Sequence, residues 1–310
     1  LIPTQQAVLD GDKMAMARLM TLVENDDPKG LDLLRKLFKH TGKARIIGIT
    51  GPPGVGKSTL VFKVAQAFRK MGKKVGIVAV DPTSPFTGGA LLGDRVRMQD
   101  LSTDEGVFIR SMGNRGYFGG LARRTGEVVD ILDAAGMDIV IVETIGTGQA
   151  EVDVVRTVHT CCVVLVPGFG DEVQTFKAGI LEIGDIFVVN KADKGADKVV
   201  MELRAMLDLA VDRDKDAWVP PIVKTAATTG EGVDELIKAM DGHCGHIKGS
   251  GRLRLKAVEK AMRDMDLLLG EKFMAGFMKK KGMRERFEAA AKKVANRKTD
   301  PRTAVERLTG

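Results

Sequence analysis

Aromatic residues are scarce. They make up 5% of the 310 residues, with a single Trp and a single Tyr. So few flat side chains leave little on which to stack bases, which argues against a single-strand nucleic-acid platform. Cysteine is nearly absent: Cys161, Cys162 and Cys244 are the three present, and two of them are adjacent. That is no disulfide framework, and it points to a reducing compartment, the cytoplasm. The same composition suits a mature organellar protein whose transit peptide has been removed. No long apolar run and no secretory leader pattern are visible, so no membrane association is expected. The formal net charge is +7. The basic residues are scattered and densest in the C-terminal third, which reads as a solvated helical surface rather than a nucleic-acid face.

What is present is an ordinary globular balance, 44% hydrophobic and 29% charged, long enough for one large core with appendages. Residues 1–43 read as a helical extension. In "DKMAMARLMTLVEN" a stripe of Met16, Leu19, Met20 and Val23 falls on one face, and "GLDLLRKLFKH" gives a second short helix. From Arg45 onward short β-branched runs alternate with helical segments: "RIIGIT", "KVGIVAV", "GVFIRS", "DIVIVET", "CCVVLVP", "DIFVVN" and "PPIVKT". They are continuously apolar, as strands buried on both faces are. Between them lie helices such as 58–71, with Leu60, Val61, Val64, Ala65 and Phe68 on one side. The pattern predicts an α/β domain over 44–245, a mostly parallel central sheet flanked by helices. Residues 246–310 are charged and amphipathic, with breaks expected at Gly270, Gly282 and Pro301. They read as a helical arm packed on the main domain or on another subunit.

The first motif is "ITGPPGVGKST", a G-x-x-x-x-G-K-[ST] loop between a strand and an amphipathic helix. Its cradle comprises Gly51, Pro53, Gly54, Val55, Gly56, Lys57, Ser58 and Thr59. Glycines let the backbone curl around phosphate oxygens, and the helix N-terminus adds partial positive charge. Lys57 is expected to reach the β- and γ-phosphates and Ser58 to ligate Mg2+. Further oxygen ligands are needed. Asp81 and Glu143 end apolar strands, where a carboxylate needs a reason to be, and Asp94 follows in "TGGALLGDRVRM". Glu143-Thr144-Ile145-Gly146 resembles the D-x-x-G element of G proteins, with Gly146 offering its N–H to the γ-phosphate and the loop beyond it acting as a switch.

The base is read from "DIFVVNKAD". Asp193, as a buried carboxylate, would accept from guanine N1–H and N2–H₂. Adenine would leave it unpaired, a penalty of about several kcal/mol. Lys191 would lay its stem over the ring, Asn190 completes the motif, and "TAATTGEG" at 225–232 supplies Ala226 and Ala227, the latter with an N–H for guanine O6. GTP/GDP is the expected nucleotide. Slow hydrolysis alone is expected, with Lys57, Asp94, Glu143, Gln149 and Lys177 as candidates around the transferred phosphate and the attacking water; Arg95 and Arg97 could approach when the loop closes.

Beyond these generic motifs the chain resembles the GTPase chaperones of adenosylcobalamin-dependent methylmalonyl-CoA mutase, metallochaperone-type G proteins formerly labelled arginine/ornithine transport kinases. The resemblance is nearly full-length. It rests on "GDKMAMARLMTLVEN", "GITGPPGVGKSTL", "VAVDPTSPFTGGALLGDRVRM", "RSMGNRGYFGGLA", "VETIGTGQAEVDV", "VLVPGFGDEVQTFKAGILEIGDIFVVNKAD" and "DPRTAVERL". It implies that Asp81, Asp94 and Glu143 surround magnesium. Residues 81–98 and 143–151 would be nucleotide-sensing switches, and 167–177, with Asp171 and Lys177, a third switch facing a mutase. It also implies a homodimer through the C-terminal helices, and a cycle that loads adenosylcobalamin and removes inactivated cofactor. Phe118, Phe169, Phe176, Thr147 and Ala150 depart from the family pattern on switch and partner surfaces. Mutases acting on isobutyryl-, 2-hydroxyisobutyryl- or ethylmalonyl-CoA are therefore alternative clients.

Rival readings are a nickel-type metallochaperone GTPase, a small-molecule or amino-acid-transport kinase, and a signal-recognition-type GTPase. The first lacks its histidine-rich or Cys-Pro motifs here, and the last its methionine-rich RNA-binding domain. His243-Cys244-Gly245-His246 reads as helix-end residues, and His159-Thr160-Cys161-Cys162 as the entry to a core strand with buried thiols.

Overall fold

The computed structural model describes residues 2–81, 101, 103–113, 124–144, 156–168, 180–210 and 218–309, with backbone alone at 81, 180, 181 and 210. The chain divides into two compact units, Leu1–Leu253 and Arg254–Gly310.

The first unit is built on a seven-stranded sheet in the order β3-β2-β4-β1-β5-β6-β7. The strands are β1 Arg45–Thr50, β2 Val75–Asp81, β3 Val107–Gly113, β4 Ile139–Glu143, β5 Thr160–Leu165, β6 Ile186–Val189 and β7 Ile222–Lys224. Every pairing is parallel, as the apolar runs predict. All seven runs became strands; the five interior ones are buried on both faces by the helices that connect parallel neighbours, while the edge strands β3 and β7 are only partly buried.

Alternation along each strand divides the core in two. One face holds Ile47, Ile49, Ile77 and Ile141 against the helices Lys57–Lys70 and Val233–Gly249. The stripe Leu60, Val61, Val64, Ala65 and Phe68 is fully buried there. The other face holds Val78, Val80, Val140 and Val142 against Thr125–Ala134 and against the N-terminal helices Gln5–Leu9, Lys13–Glu24 and Pro28–Leu37. Met16, Leu19, Met20 and Val23 pack into this core with no solvent exposure. Asp12 and Asp27 cap the second and third of these helices by accepting from Ala15 N–H and Gly30 N–H. Asp133, in the helix Thr125–Ala134, then holds the link between this segment and β1, its carboxylate accepting from the amides of Gly42, Lys43 and Ala44.

Cys161 and Cys162 are buried in β5. Burial, and then the nearby Asp185 carboxylate, push the Cys162 thiol far up, so it stays protonated. Of the two histidines expected at a helix end, His246 lies in the last turn of Val233–Gly249, whereas His243 lies farther inside the helix. His243 is buried, with Nδ1 3.0 Å from Thr160 Oγ1 and Nε2 3.2 Å from Asp185 Oδ1. Trp218 packs on both rings and donates to the Asp185 carbonyl.

The second unit is helical: Arg252–Met278, Met283–Ala295 and Pro301–Thr309. Gly270 does not break the first of these, because one interior glycine costs only about 1 kcal/mol. Gly282 does cap the second with a left-handed backbone, and Pro301 opens the third. Leu255, Val258, Met262, Met265 and Leu269 are exposed along the long helix at alternating spacings of three and four. An apolar groove of about 800 Å³ lies among Leu269, Phe273, Phe277, Phe287, Val305 and Leu308. Among the described residues, no helix is long and apolar enough to cross a membrane.

Candidate functional site

The central strand β1 lies between β4 and β5, and consecutive strands depart from it in opposite directions across the sheet. In parallel α/β sheets the crevice beyond the carboxyl ends at such a switch point is where ligands bind. The phosphate loop occupies it. Ile49 is paired with Glu143 and Thr50 with Val163, so the loop leaves β1 between the ends of β4 and β5.

Two glycines of the loop are dictated by geometry. Gly51 has φ 136°, and a Cβ there would collide with the Val164 carbonyl oxygen. Gly56 has φ 91°, and a Cβ would stand 2.7 Å from Asn190 Nδ2. Gly56 is also the N-cap of Lys57–Lys70 and gives it no side-chain cap. The first amides of this helix therefore face the loop with the positive end of the helix dipole. Pro53 and Gly54 are exposed at the loop tip and Val55 is buried beneath it, while Ser58 and Thr59 are half-buried in the first helical turn.

Lys57 is buried, and its Nζ donates to the carbonyls of Gly51 and Pro52 at 2.8 and 2.7 Å. The ammonium is thereby held across the cradle. Ser58 Oγ donates to Glu143 Oε1 at 2.6 Å, joining the helix start to the end of β4. The predicted pair is thus brought together as an all-oxygen donor set, the kind a hard cation selects. Asp81 ends β2 next to this point, since its strand pairs Ala79 with Glu143. Asp94, Gly146, Gln149 and Lys177 lie outside the described residues, as do Arg95, Arg97 and Asp171. Among the described residues, no group of three or more His, Cys, Asp or Glu could hold a metal ion, the His243–His246 cluster included.

The base-reading segments converge on Asn190. Its Nδ2 donates to the Val55 carbonyl at 2.8 Å. Its Oδ1 accepts from Ala227 N–H at 3.0 Å and from Thr225 Oγ1 at 3.1 Å. The Ala227 amide, expected to face guanine O6, is engaged by Asn190 here, so a base contact requires sharing or exchanging that bond. Ala226 is buried beside it and closes the turn, with its amide donating to the Glu231 carbonyl. Lys191 takes a left-handed backbone, φ 55°, and its Nζ donates to the Gly54 carbonyl at 2.8 Å. Asp193 is exposed, not buried as expected, because the 3-10 turn Ala192–Lys194 carries it past the strand end to the rim of the crevice. A base seated there would be needed to cover it.

Sequence reasoning did not single out Thr50 and Thr144 as site residues. Both are buried, with their hydroxyls 2.7 Å apart beneath the loop. The only signal was position: each follows directly on a strand residue of the motif.

Comparison with known proteins agrees with this geometry. A family model described as methylmalonyl Co-A mutase-associated GTPase MeaB matches residues 16–282. A Pyrococcus abyssi protein named as a GTPase is 49% identical over 300 residues, 96% of this chain and 92% of that protein. The mitochondrial methylmalonic aciduria type A homolog of Mus musculus is 30% identical over 319 residues, covering 97% of this chain and 77% of that one. The crystal structure of a LAO/AO transport system kinase superposes with a TM-score of 0.72 at 27% identity, covering 98% of this chain and 95% of that chain. With a P-loop at the switch point of a parallel sheet and a family match over most of its length, the chain belongs to the methylmalonyl-CoA mutase-associated GTPase (MeaB) family.

Proposed function

We propose that this GTPase is a chaperone of a cobalamin-dependent acyl-CoA mutase, methylmalonyl-CoA mutase foremost, and that its nucleotide state gates adenosylcobalamin loading and the rescue of inactivated enzyme. The observation that carries this reading is membership of a family described by its association with that mutase, joined to a crevice in which Asn190 couples phosphate loop and base loop.

In this reading GTP lies with its phosphates in the Gly51–Thr59 cradle and its base between Lys191 and Ala227, with Asp193 accepting from the guanine edge. Phosphoryl transfer needs positioning and charge neutralisation more than covalent chemistry. Lys57, already held over the cradle, exchanges its loop carbonyls for phosphate oxygens. Ser58 and Glu143 fit magnesium as two adjacent oxygen donors, with Asp81 and Asp94 as the remaining acids. Bound there, the ion would supply charge neutralisation at the phosphates. Gln149, Asp94, Glu143 and Lys177 are the proposed candidates for holding the attacking water, and Gly146 for sensing the γ-phosphate. Dimerisation is assigned to the exposed heptad row of the long C-terminal helix.

The test is to measure phosphate release by the purified chain alone and with methylmalonyl-CoA mutase and adenosylcobalamin. Complex formation is measured in parallel with GDP and with a non-hydrolysable GTP analogue. Slow turnover alone, acceleration by the mutase and nucleotide-dependent capture are expected. Equal rates together with nucleotide-blind capture would reject the proposal. The kinase name of the solved relative gives a second outcome to watch: label from γ-labelled GTP on an added basic amino acid, instead of inorganic phosphate alone.

A further inference from the structure

We infer that the buried hydroxyl pair Thr50–Thr144 is a positioning element that sets the Glu143 carboxylate for the magnesium ion of the site. This deepens the functional reading above and rests on it.

The end of β4 is gripped from both faces of the sheet. Side chains alternate along a strand. Ile139 and Ile141 belong to the core beneath the phosphate-loop helix, while Val140 and Val142 belong to the opposite core. Glu143 continues the first set and meets Ser58 at 2.6 Å. Thr144 continues the second. There it meets Thr50, which ends β1 on that same side, as Ile46 does at its start. Thr144 is also stitched to β1 through its backbone, its N–H donating to the Ile49 carbonyl at 3.2 Å.

The carboxylate is therefore mounted on a strand that the parallel ladder with β1 holds along its length, and whose end is fastened just beyond Glu143 by one further backbone bond and one hydroxyl bond. The phosphate loop begins at the residue after Thr50. The same hydroxyl pair thus refers the acid to the cradle. Both threonines are fully buried, so water does not replace the bond when it is cut. Among the described residues, the hydroxyls bond to each other and to no side chain of the site; they act through Glu143, as groups behind metal ligands do.

The experiment uses the full-length chain and four variants: Thr144→Val, Thr50→Val, the double Val variant, and Thr144→Ser. Affinity for a fluorescent GTP analogue is titrated with excess EDTA and over a series of magnesium concentrations, and the thermal midpoint is recorded for each protein. Each single Val variant is expected to lower the midpoint, because it orphans the remaining buried hydroxyl. Each is also expected to raise the magnesium concentration for half-maximal effect about tenfold, with affinity in EDTA unchanged within about twofold. The double variant has no orphan, so its midpoint recovers while its magnesium response does not. Thr144→Ser keeps both near wild type. A purely structural role predicts otherwise: magnesium response would return with the midpoint in the double variant. That result would overturn the inference, as would equal weakening with and without magnesium.

Ser58→Ala separates this failure from that of the underlying reading. A magnesium gain lost in Ser58→Ala but intact in every Val variant overturns the inference alone. No gain in the wild type overturns both.

Discussion

Asn190 Nδ2 donates to the Val55 carbonyl at 2.8 Å, and the same side chain accepts from Ala227 N–H through its Oδ1. One buried amide thus holds together a loop that precedes β2 and a loop that follows β7, with Val55 135 positions before Asn190 and Ala227 37 positions after it. An Asn suits the position because it presents donor and acceptor at once. Asn190→Ala leaves the Val55 carbonyl, the Thr225 hydroxyl and the Ala227 amide without this partner. Each buried orphan costs about 1–3 kcal/mol, and relaxation and non-additivity reduce the sum. A loss of about 2–4 kcal/mol in urea denaturation, with GTP affinity falling in parallel, is expected. Asn190→Asp should be at least as damaging, since a carboxylate oxygen then faces the Val55 carbonyl. An Asp variant as stable as wild type would show that the bridge carries little energy.

The base specificity makes a sharper prediction. Asp193 is exposed at the rim, and in the proposed base site it would accept two hydrogen bonds from a guanine that covers it. Xanthine carries an oxygen where guanine has its 2-amino group, so an Asn at 193 would offer the matching donor. Asp193→Asn is expected to weaken GTP binding by about a hundredfold or more and to strengthen XTP binding, because a mismatched polar pair leaves buried groups unsatisfied. Competition titration of GTP, XTP and ATP measures the inversion. Unchanged preference for GTP would remove Asp193 from the base site.

The strands and the phosphate loop were legible because each depends on local pattern. Seven apolar runs read as doubly buried strands, and Gly51 and Gly56 are required by backbone angles that short-range sequence specifies. The exposure of Asp193 was not legible: it follows from the left-handed Lys191 and the turn after it, a conformation that "NKAD" does not announce. Nor was the Ala227–Asn190 bond, which joins segments 37 positions apart and exists only once β6 and β7 are paired. The Thr50–Thr144 pair was hidden for the same reason. Two threonines at strand ends are unremarkable until parallel register places them side by side. Gly270 failed in the opposite sense: a residue that weakens helices locally was absorbed into a helix of 27 residues.

The tie between the phosphate-loop helix and the loop that precedes β3 makes a prediction about acid. Arg69 holds Asp104 with two hydrogen bonds of 2.9 Å, and Gly106 N–H adds a third. The Arg69 hydrogen bonds, followed by the backbone bond and the charges of Arg69 and Lys13, hold the Asp104 carboxyl below its usual value of 3.8 despite some desolvation. A carboxyl depressed in the folded state stabilises above its unfolded pKa, and that contribution is lost as pH falls through the folded pKa. The stability difference between wild type and Asp104→Asn should therefore be flat at neutral pH and shrink below pH 3.8. The pair is partly exposed, so about 1 kcal/mol or less is at stake. Urea denaturation of both proteins across the acid range measures it. A difference that grew on acidification would contradict the assignment.

The row Leu255, Val258, Met262, Met265 and Leu269 repeats at the 3.5-residue spacing of a coiled-coil seam, and every member is exposed in the isolated chain. A solvated helix gains nothing from such a row, whereas a pair of helices gains a continuous apolar interface. If the row is the dimer contact, Met262 sits near its middle, where a second copy would remove it from water. Met262→Glu would then bury a carboxylate opposite its own symmetry mate. Desolvation and like-charge repulsion act together there, because a two-fold interface meets the same substitution from both sides. The dissociation constant is expected to rise at least about a hundredfold, equivalent to ~2.8 kcal/mol. Ala257→Glu places the same charge on the same helix off the row, and should leave assembly unchanged. Light scattering across a dilution series distinguishes the two variants. The substitution lies in the second compact unit and the phosphate loop in the first; affinity for a fluorescent GTP analogue is expected to remain at the wild-type value. Loss of nucleotide binding together with dimerisation would instead show that assembly is needed to form the crevice. Equal dissociation by both charges would move the dimer contact off this row.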